Sequence, residues 1–368
     1  MPSDISLSAE EKNRYSRQMI LPDIGAEGQQ RLKAAKVLIV GVGGLGSPAA
    51  LYLAAAGVGT IGLADADQVS LSNLQRQVIY STDDVGKYKV DIAAQRLRAS
   101  NSNVEIKSYH NAISFDNVLD IFNDYDVILD GTDNFAAHYL INDAAILARK
   151  PLVWGNVERF SGQVGAVLPL QTACYRCLYP SPPPPGVALS CAEIGVMGTV
   201  PGMIGTLQAT EILKIILQIG ELLADRILRV NSLTGQFKEI KVTRNQDCAI
   251  CGNQPAITNL MMPVQACAIM EITANELQDK IQASSAPFLL DVRSPDEFAV
   301  NKISGAYLIP LPLLSQRLHE IPINQEVIVY CHSGQRSAQA AEELQKHGYR
   351  ARALKGGILA MQAAGHYA

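Results

Sequence analysis

Short apolar runs alternate with amphipathic stretches along the first two thirds of the chain. Continuous apolar runs predict buried strands, and apolar residues that recur at helical spacing predict helices. Helices are predicted at residues 90–98, 135–149 and 206–219. Strands are predicted at residues 37–40, 60–64, 104–109, 127–130 and 152–154. This alternation is typical of an α/β fold with a Rossmann-like, mostly parallel sheet flanked by helices.

A second alternating unit occupies the end of the chain. Its helices and strands are predicted at residues 274–282, 288–292, 327–330 and 337–347. Before it, residues 253–263 lack a clear period and carry two prolines, which is typical of a linker. We therefore predict a first domain at residues 1–252, a linker at 253–269 and a small α/β domain at 270–368.

Composition changes this picture little, with 48% hydrophobic residues, 18% charged residues and a net charge of −4. A nucleic-acid-binding protein would show a basic surplus, so we expect no nucleic acid as a partner. The polar start predicts no signal peptide, and seven cysteines without an export signal make a disulfide framework improbable. We expect a cytoplasmic protein.

An uncharged stretch at residues 37–64 raises the question of a membrane span. It contains seven glycines and Pro48, and its two apolar pieces lie on either side of a glycine turn. A buried strand–helix–strand unit fits this pattern better than a membrane span. We expect no membrane as a partner.

The glycine turn Gly41-Val-Gly43-Gly44-Leu-Gly46 follows the first predicted strand. Small residues there let backbone N–H groups approach phosphate at the start of a helix. Asp65 ends the next strand, where its carboxylate can accept hydrogen bonds from ribose hydroxyls. The pattern predicts a nucleotide site without saying which nucleotide, and a packing turn without a ligand is the alternative.

Charged residues that follow in order favour ATP. Arg17 and Arg76 are suited to binding polyphosphate, and Lys89 lies soon after a glycine. Asp133 follows a predicted strand, at the sheet edge where such folds bind ligands, and a carboxylate there suits the magnesium that accompanies ATP. Taken singly, each of these residues would be read as a solvated surface group.

Together these motifs resemble those of the MoeB/ThiF family, adenylating enzymes related to the ubiquitin-activating enzymes. The resemblance spans residues 10–252 with the motifs in order. It rests on Tyr15-Ser-Arg17-Gln, Gly41 to Gly46, Ser70-Leu-Ser-Asn-Leu-Gln-Arg76-Gln, Asp130-Gly-Thr-Asp133-Asn134 and Ser190-Cys191-Ala-Glu.

The resemblance implies adenylation of the C-terminal glycine of a ubiquitin-like sulfur carrier ending in Gly-Gly, with release of pyrophosphate. Arg17 is expected to reach the triphosphate from the partner subunit of a homodimer, and Arg76 to stabilise charge on the phosphates. Asp133 is expected to position magnesium. The implied ATP-binding residues are Gly44, Asp65, Ser72, Asn73, Leu74, Gln75, Arg76, Lys89, Asp133 and Asn134.

Four cysteines form two Cys-x-x-Cys pairs about 70 residues apart. The pairs are Cys174-Tyr-Arg-Cys177 and Cys248-Ala-Ile-Cys251. Two such pairs complete a tetrahedral four-thiolate site with no position open to water, so we predict a structural zinc that joins distant segments. Redox-active pairs are the alternative, but neither pair sits at a convincing strand-to-helix turn of the thioredoxin type.

Cys331 begins the loop Cys331-His-Ser-Gly-Gln-Arg336, between a predicted strand and a predicted helix. Backbone N–H groups of such a loop and the arginine stabilise an anion. Four residues separate Cys331 from Arg336, and residues 270–368 resemble a rhodanese domain. The resemblance implies that Cys331 carries a persulfide, obtained from a donor such as a cysteine desulfurase. An inert buried cysteine is the alternative.

Cys191 follows a run of prolines, and a cysteine on an exposed segment can swing toward an acyl-adenylate. In the MoeB/ThiF family this position can form a covalent link to the carrier, though members differ in needing it. A structural or dispensable role is the alternative.

Joined, the two halves predict adenylation of the carrier and then attack by the Cys331 persulfide, which yields a thiocarboxylate. Molybdenum cofactor, thiamine and tRNA-thiolation pathways all use such carriers, and the sequence does not choose among them. An NAD-dependent oxidoreductase would share the glycine turn but leave Arg17 and Arg76 unexplained. A non-catalytic scaffold is the other alternative.

Overall fold

The computed structural model describes residues 6–182, 195–260, 270–282 and 287–365. The described residues form two compact units, which divide between residues 260 and 270. The boundaries predicted above at 252/253 and 269/270 stay predictions.

The first unit is built on an eight-stranded sheet. Strands β1 to β5 run parallel in the order β3-β2-β1-β4-β5, and β6, β7 and β8 continue the sheet as antiparallel neighbours. The mostly parallel α/β fold is therefore confirmed. The strands are β1 (Lys36–Val40), β2 (Thr60–Ala64), β3 (Glu105–Tyr109), β4 (Val127–Asp130), β5 (Leu152–Glu158), β6 (Ser161–Val167), β7 (Arg226–Asn231) and β8 (Gln236–Lys241).

Both faces of this sheet are buried in its parallel part, which explains the continuous apolar runs. Successive side chains of a strand point to opposite faces. In β1, Val37 and Ile39 enter one apolar cluster, whereas Leu38 and Val40 enter a second cluster on the other face. The uncharged stretch at residues 37–64 is strand, helix and strand, as predicted.

Helices cover the two faces of the sheet. They are α1 (Ala9–Arg14), α2 (Ser16–Met19), α3 (Gly25–Ala34), α4 (Gly46–Ala56), α5 (Lys89–Ser100), α6 (Val118–Asn123), α7 (Phe135–Leu147), α8 (Tyr175–Leu178) and α9 (Thr199–Leu217). Short 3₁₀ turns lie at Leu71–Asn73 and Thr82–Asp84.

Helix α9 is the one described helix that is long and apolar enough, by length and composition alone, to cross a membrane. Half of its apolar window is buried within the protein. It packs against α4, β5 and β6, and its buried Gln208 donates a hydrogen bond to the carbonyl oxygen of Asp130. The core helix of a folded unit passes the same test, and these contacts are those of a core helix.

The second unit has a five-stranded parallel sheet in the order β11-β10-β12-β13-β9. Its strands are β9 (Glu271–Ile272), β10 (Phe288–Asp291), β11 (Tyr307–Leu308), β12 (Glu326–Tyr330) and β13 (Arg350–Leu354). Its helices are α10 (Ala274–Gln282), α11 (Pro295–Val300), α12 (Gln335–Lys346) and α13 (Gly357–Ala363), with 3₁₀ turns at Leu311–Gln316 and Leu318–Glu320. Apolar clusters lie on both faces of β12.

Candidate nucleotide cavity, metal cluster and cysteine loop

A cavity of about 430 Å³ lies at the carboxyl ends of β1, β2 and β4. This is the sheet edge where open α/β folds bind ligands. Its walls include six of the predicted nucleotide-binding residues, namely Gly44, Asp65, Arg76, Lys89, Asp133 and Asn134.

Glycines let the loops after β1 and β4 meet backbone to backbone beneath this cavity. Gly41 has a φ of +85°, and a Cβ there would lie 2.9 Å from the carbonyl carbon of Gly131. A Cβ on Gly46 would lie 1.9 Å from the carbonyl oxygen of Gly41. No larger residue fits either position without moving backbone, and the turn lines the cavity with Gly41, Gly43 and Gly44.

Asp65 and Lys89 form the acidic and basic edge of the cavity. The carboxylate of Asp65 accepts hydrogen bonds from the backbone N–H groups of Val42, at 2.8 Å, and Asp67, at 2.9 Å. Burial raises the pKa of Asp65, while the nearby Lys89 ammonium opposes that rise. The buried Lys89 ammonium lies 2.8 Å from the Asp67 carboxylate and 3.9 Å from that of Asp65. A carboxylate offers about four acceptor positions, so Asp65 keeps capacity for a ribose hydroxyl.

The segment from Ser72 to Gln75 supports Arg76 instead of forming the cavity wall. The described cavity lining does not include Ser72, Asn73, Leu74 or Gln75. The carbonyl oxygen of Ser72 accepts a hydrogen bond of 3.0 Å from the Arg76 guanidinium. Asn73 closes the turn by accepting a hydrogen bond from the Ser70 N–H, and Leu74 packs on the apolar core. The Gln75 backbone contacts Gly198, where a Cβ would lie 2.2 Å from its oxygen.

Asp133 and Asn134 occupy the loop from β4 to α7. Asn134 caps α7 by accepting a hydrogen bond of 2.9 Å from the Ala137 N–H, and Asp133 is exposed at the cavity edge. Behind them, the buried Asp130 carboxylate lies 2.6 Å from the His138 imidazole and accepts hydrogen bonds from Thr132. Burial lowers the pKa of His138, but Asp130 outweighs it, so that pKa is raised.

Gln77 is a cavity residue that sequence reasoning missed. It is 4% exposed, and its Oε1 atom has no hydrogen-bond partner among the described residues. A Cβ on Gly43 would lie 3.5 Å from its Nε2 atom, which places the amide beside the glycine turn. Gln77 directly follows Arg76 in the motif that begins at Ser70, and this position could have indicated that it lines the cavity.

Arg17 lies on the short helix α2, where it is exposed, and it does not line the described cavity of its own chain. Cys191 lies outside the described residues, so its predicted role stays a prediction.

The four predicted metal ligands form one cluster, with all four sulfur atoms within 4.8 Å of one another. Cys174 Sγ lies 3.6 Å from Cys248 Sγ, and Cys177 Sγ lies 3.4 Å from Cys251 Sγ. Within the first pair, Cys174 and Cys177 are 3.9 Å apart. The shortest contacts therefore run between the pairs, which favours one shared site over two redox pairs.

The chemistry of this cluster fits a metal ion. Tetrahedral zinc with Zn–S bonds of about 2.3 Å would separate its ligand sulfurs by roughly 3.8 Å. Cys174, Cys248 and Cys251 are buried, and the Asn245 N–H points at Cys177 Sγ from 3.4 Å. The Arg244 guanidinium holds the carbonyl oxygen of Cys251. The cluster could thus hold a metal that joins the segments after β6 and β8.

Cys331 ends β12 and begins a loop that wraps its own sulfur. The side chain is 1% exposed, and the Gly334 N–H points at Cys331 Sγ from 3.1 Å. Gly334 has a φ of +101°, which a side chain rarely adopts. Ser337 Oγ lies 3.7 Å from the sulfur and donates to the carbonyl oxygen of Gly334. An N–H directed at the sulfur would stabilise an anion there, and the role of Cys331 stays a prediction.

Arg336, the cation of the loop, is paired with a residue that sequence reasoning missed. Both of its terminal nitrogens lie 2.8 Å from the two carboxylate oxygens of Glu297. A hydrogen bond from Arg336 and the adjacent charge lower the pKa of Glu297 to about 2. Nearby, the fully buried Arg293 pairs with Asp291 at 2.6 Å and anchors Asn301.

The chain thus joins an α/β unit with a nucleotide cavity to a unit that presents a loop cysteine, the arrangement of a nucleotide-dependent sulfur-transfer enzyme. Residues 15–250 match the ThiF family and residues 273–364 match the rhodanese-like domain. The chain belongs to the ThiF family, and it carries a C-terminal rhodanese-like domain.

Known relatives agree with this assignment. The chain is 42% identical over 373 residues to the probable adenylyltransferase/sulfurtransferase MoeZ of Mycobacterium tuberculosis, with 96% of this chain and 94% of that protein covered. It is 48% identical over 258 residues to the sulfur carrier protein adenylyltransferase of Thermus thermophilus, covering 68% of this chain and 95% of that protein. The crystal structure of E. coli MccB with ATP covers 66% of this chain and 75% of that chain, with a TM-score of 0.58 and 27% identity.

The protein is therefore an adenylyltransferase and a sulfurtransferase. Adenylation in the ThiF family implies that it uses ATP. The alternatives of an NAD-dependent oxidoreductase and a non-catalytic scaffold find no support in these similarities.

Proposed function

We propose that the protein converts the C-terminal glycine of a ubiquitin-like sulfur carrier into a thiocarboxylate. One observation carries the proposal: a single chain holds both the cavity lined by Arg76, Lys89 and Asp133 and the loop that directs an N–H at the Cys331 sulfur. Activation of a carboxylate and delivery of sulfur are the two halves of this reaction.

In the first half, the terminal carboxylate of the carrier attacks the α-phosphorus of ATP, and pyrophosphate leaves. Arg76 and the buried Lys89 stabilise charge that develops on the phosphates. Asp133 at the exposed cavity edge holds magnesium, which neutralises phosphate charge when bound. The backbone N–H groups of the glycine turn face the phosphates.

In the second half, a persulfide on Cys331 attacks the acyl-adenylate carbonyl and AMP leaves, which gives an acyl disulfide on Cys331. The thiolate of Cys191, or another thiol, attacks the Cys331 sulfur and releases the carrier thiocarboxylate with formation of a disulfide. A thiol reductant then restores both cysteines. A persulfide donor such as a cysteine desulfurase reloads Cys331. Covalent steps of this kind divide one difficult transfer into easier ones.

A homodimer completes the site in this proposal. Arg17 is exposed on α2 beside Ile20 and Leu21, which are 75% and 51% exposed. A nearby groove of about 250 Å³ is lined by Tyr52 and Leu213 among other residues. In this proposal a second copy covers this apolar face, and Arg17 binds the triphosphate held by the partner subunit. A structural zinc in the four-cysteine cluster and a cytoplasmic location belong to the same proposal.

The test is ATP–pyrophosphate exchange with purified carriers ending in Gly-Gly, combined with mass spectrometry of the carrier C-terminus. We expect Asp133→Ala to lose exchange by at least a hundredfold. Cys331→Ala should keep exchange within twofold but form no thiocarboxylate with a persulfide as the sulfur source. The proposal would be refuted if none of the carriers supported ATP–pyrophosphate exchange. It would also be refuted if the Cys331→Ala protein formed the thiocarboxylate. The carrier that supports exchange will identify the pathway.

A further inference from the structure

The Glu297 carboxylate occupies the two terminal nitrogens of Arg336, the cation of the Cys331 loop. Arginine presents a planar fork that binds oxyanions through two parallel hydrogen bonds. In this structure the fork meets the Glu297 carboxylate, with both distances at 2.8 Å. The Arg336 side chain is 16% exposed and the Glu297 side chain 34% exposed, so the pair is partly shielded from solvent.

Helix α11 fixes the Glu297 carboxylate in place. Its Oε2 atom also accepts hydrogen bonds from the backbone N–H of Ser294, at 3.0 Å, and from the Ser294 hydroxyl, at 3.1 Å. Ser294 is the N-cap of α11 and Glu297 the third helical residue, so the pair forms a capping box. The carboxylate is thus held by four donor contacts, two of them from Arg336, and it does not depend on Arg336 alone for its position.

This arrangement affects sulfur donors according to their charge. Thiosulfate is a dianion whose sulfonate oxygens need a free guanidinium fork near the accepting thiolate. A persulfide, R–S–SH, carries its transferable sulfur without any oxyanion. Since Glu297 already occupies the terminal nitrogens of Arg336, the sulfonate of thiosulfate has to compete with it for them, whereas a persulfide brings no oxyanion beside its transferable sulfur.

We propose that Glu297 is a specificity-determining residue that makes the Cys331 loop accept sulfur from persulfides and reject thiosulfate. The inference rests on the proposed role of Cys331 as the sulfur acceptor. In the favoured reaction the Cys331 thiolate attacks the outer sulfur of R–S–SH, the S–S bond breaks and R–S⁻ leaves. In the disfavoured reaction the thiolate attacks the outer sulfur of thiosulfate, and sulfite leaves with the bonding electron pair.

The experiment measures single-turnover sulfur loading of Cys331 in the full chain by mass spectrometry, with thiosulfate and with glutathione persulfide. We expect Glu297→Gln to raise the second-order rate constant for loading from thiosulfate at least tenfold, mainly through a lower Kd for this donor, and to change the rate constant for the persulfide less than threefold. Glu297→Asp, which keeps the negative charge, should stay close to wild type. Glu320→Gln removes a carboxylate from another bidentate pair, with Arg317, and should change neither rate.

Several results would overturn the inference. Parallel loss of both rates, or a Glu297→Gln protein that does not fold, would show that Glu297 only supports the loop. An unchanged thiosulfate rate, or an equal gain in Glu297→Asp, would show that its charge does not select donors. Failure of wild-type Cys331 to load from either donor would instead refute the proposed function itself.

Discussion

The nucleotide cavity and the Cys331 loop both lie where a parallel strand gives way to a helix, yet their residues are gathered differently. The cavity draws its walls from loops spread between Gly41 and Pro201. The Cys331 loop takes its sulfur, glycine and arginine from six consecutive residues and adds Glu297 from 39 residues away.

The electrostatics of the two sites differ as well. In the cavity, burial raises the pKa of Asp65, and the Oε1 atom of Gln77 has no partner among the described residues. In the loop, the two terminal nitrogens of Arg336 pair with the Glu297 carboxylate, and the pKa of Glu297 falls to about 2. The cavity thus leaves a buried polar atom of Gln77 for a ligand, whereas the two terminal nitrogens of Arg336 are already paired within the protein.

The four-cysteine cluster should show the largest effect and should separate the two regions, because it belongs to the first unit alone. Cys248→Ser removes a buried thiol of the proposed metal site, and we expect the free energy of unfolding of that unit to fall by about 4 kcal/mol or more. ATP–pyrophosphate exchange should be lost, while sulfur loading of Cys331 persists. Calorimetry and metal analysis check this.

The control for that experiment is Cys331→Ser, which changes a buried cysteine of the second unit and should leave the metal content unaltered. A Cys248→Ser protein with normal stability would show that the cluster contributes nothing to folding.

Glycine-to-alanine substitutions in the two units should lower stability less than Cys248→Ser, and they test the nucleotide cavity and the Cys331 loop separately. A Cβ at Gly46 would lie 1.9 Å from the Gly41 oxygen, and one at Gly357 would lie 2.5 Å from the His332 oxygen. We expect either alanine variant to lose about 1–3 kcal/mol through overpacking. Gly46→Ala should impair only pyrophosphate exchange, and Gly357→Ala only sulfur loading.

A matched alanine at Gly202 meets no atom within 4 Å and should be neutral or slightly stabilising. If Gly46→Ala or Gly357→Ala impaired both activities equally, the two sites would not be separable units of structure.

The smallest effect is the pH dependence of stability. A rise in pH stabilises the fold through Glu297 and destabilises it through Asp65. The Glu297 pKa lies near 2 instead of 4.5, so its stabilisation is complete above pH 4.5 and is lost as the pH falls toward 2. The Asp65 pKa is raised from 3.8, so stability is lost as the pH rises through the folded-state pKa. Urea titrations should show the stability difference between wild type and Glu297→Gln shrinking below pH 4.5.

The stability of Asp65→Asn relative to wild type should instead increase as the pH rises. The difference between wild type and Glu297→Gln should stay below about 1 kcal/mol, because the Arg336–Glu297 pair is partly exposed. Differences that do not vary with pH would contradict the electrostatic contrast between the two sites.

Local patterns predicted much of the fold and of the Cys331 loop. The strands at Thr60–Ala64 and Val127–Asp130 match the predicted residues because both are continuous buried runs. The sequence did not reveal β6, β7 and β8, since β8 is exposed along its whole length and β6 is interrupted by Gly162 and Gly165.

Contacts between distant segments could not be predicted from the sequence. Glu297 meets Arg336 across 39 residues, and no spacing rule connects an N-terminal helix turn with a loop after a later strand. The buried pair of Asp130 and His138 likewise depends on how β4 meets α7. The roles of Arg17 and Cys191 stay predictions, the first because it is expected to act on a partner subunit and the second because Cys191 lies outside the described residues.

The spacing of the four cysteines along the chain also determines when the cluster can form during translation. Cys174 and Cys248 are 74 residues apart, and α9, β7 and β8 lie between them. At about 5–20 residues per second, roughly 4–15 s pass on the ribosome between the first ligand pair and the second. The four-cysteine cluster of the first unit can form only after β8, the last strand of its sheet, has been translated. At that time the second unit has not yet been translated.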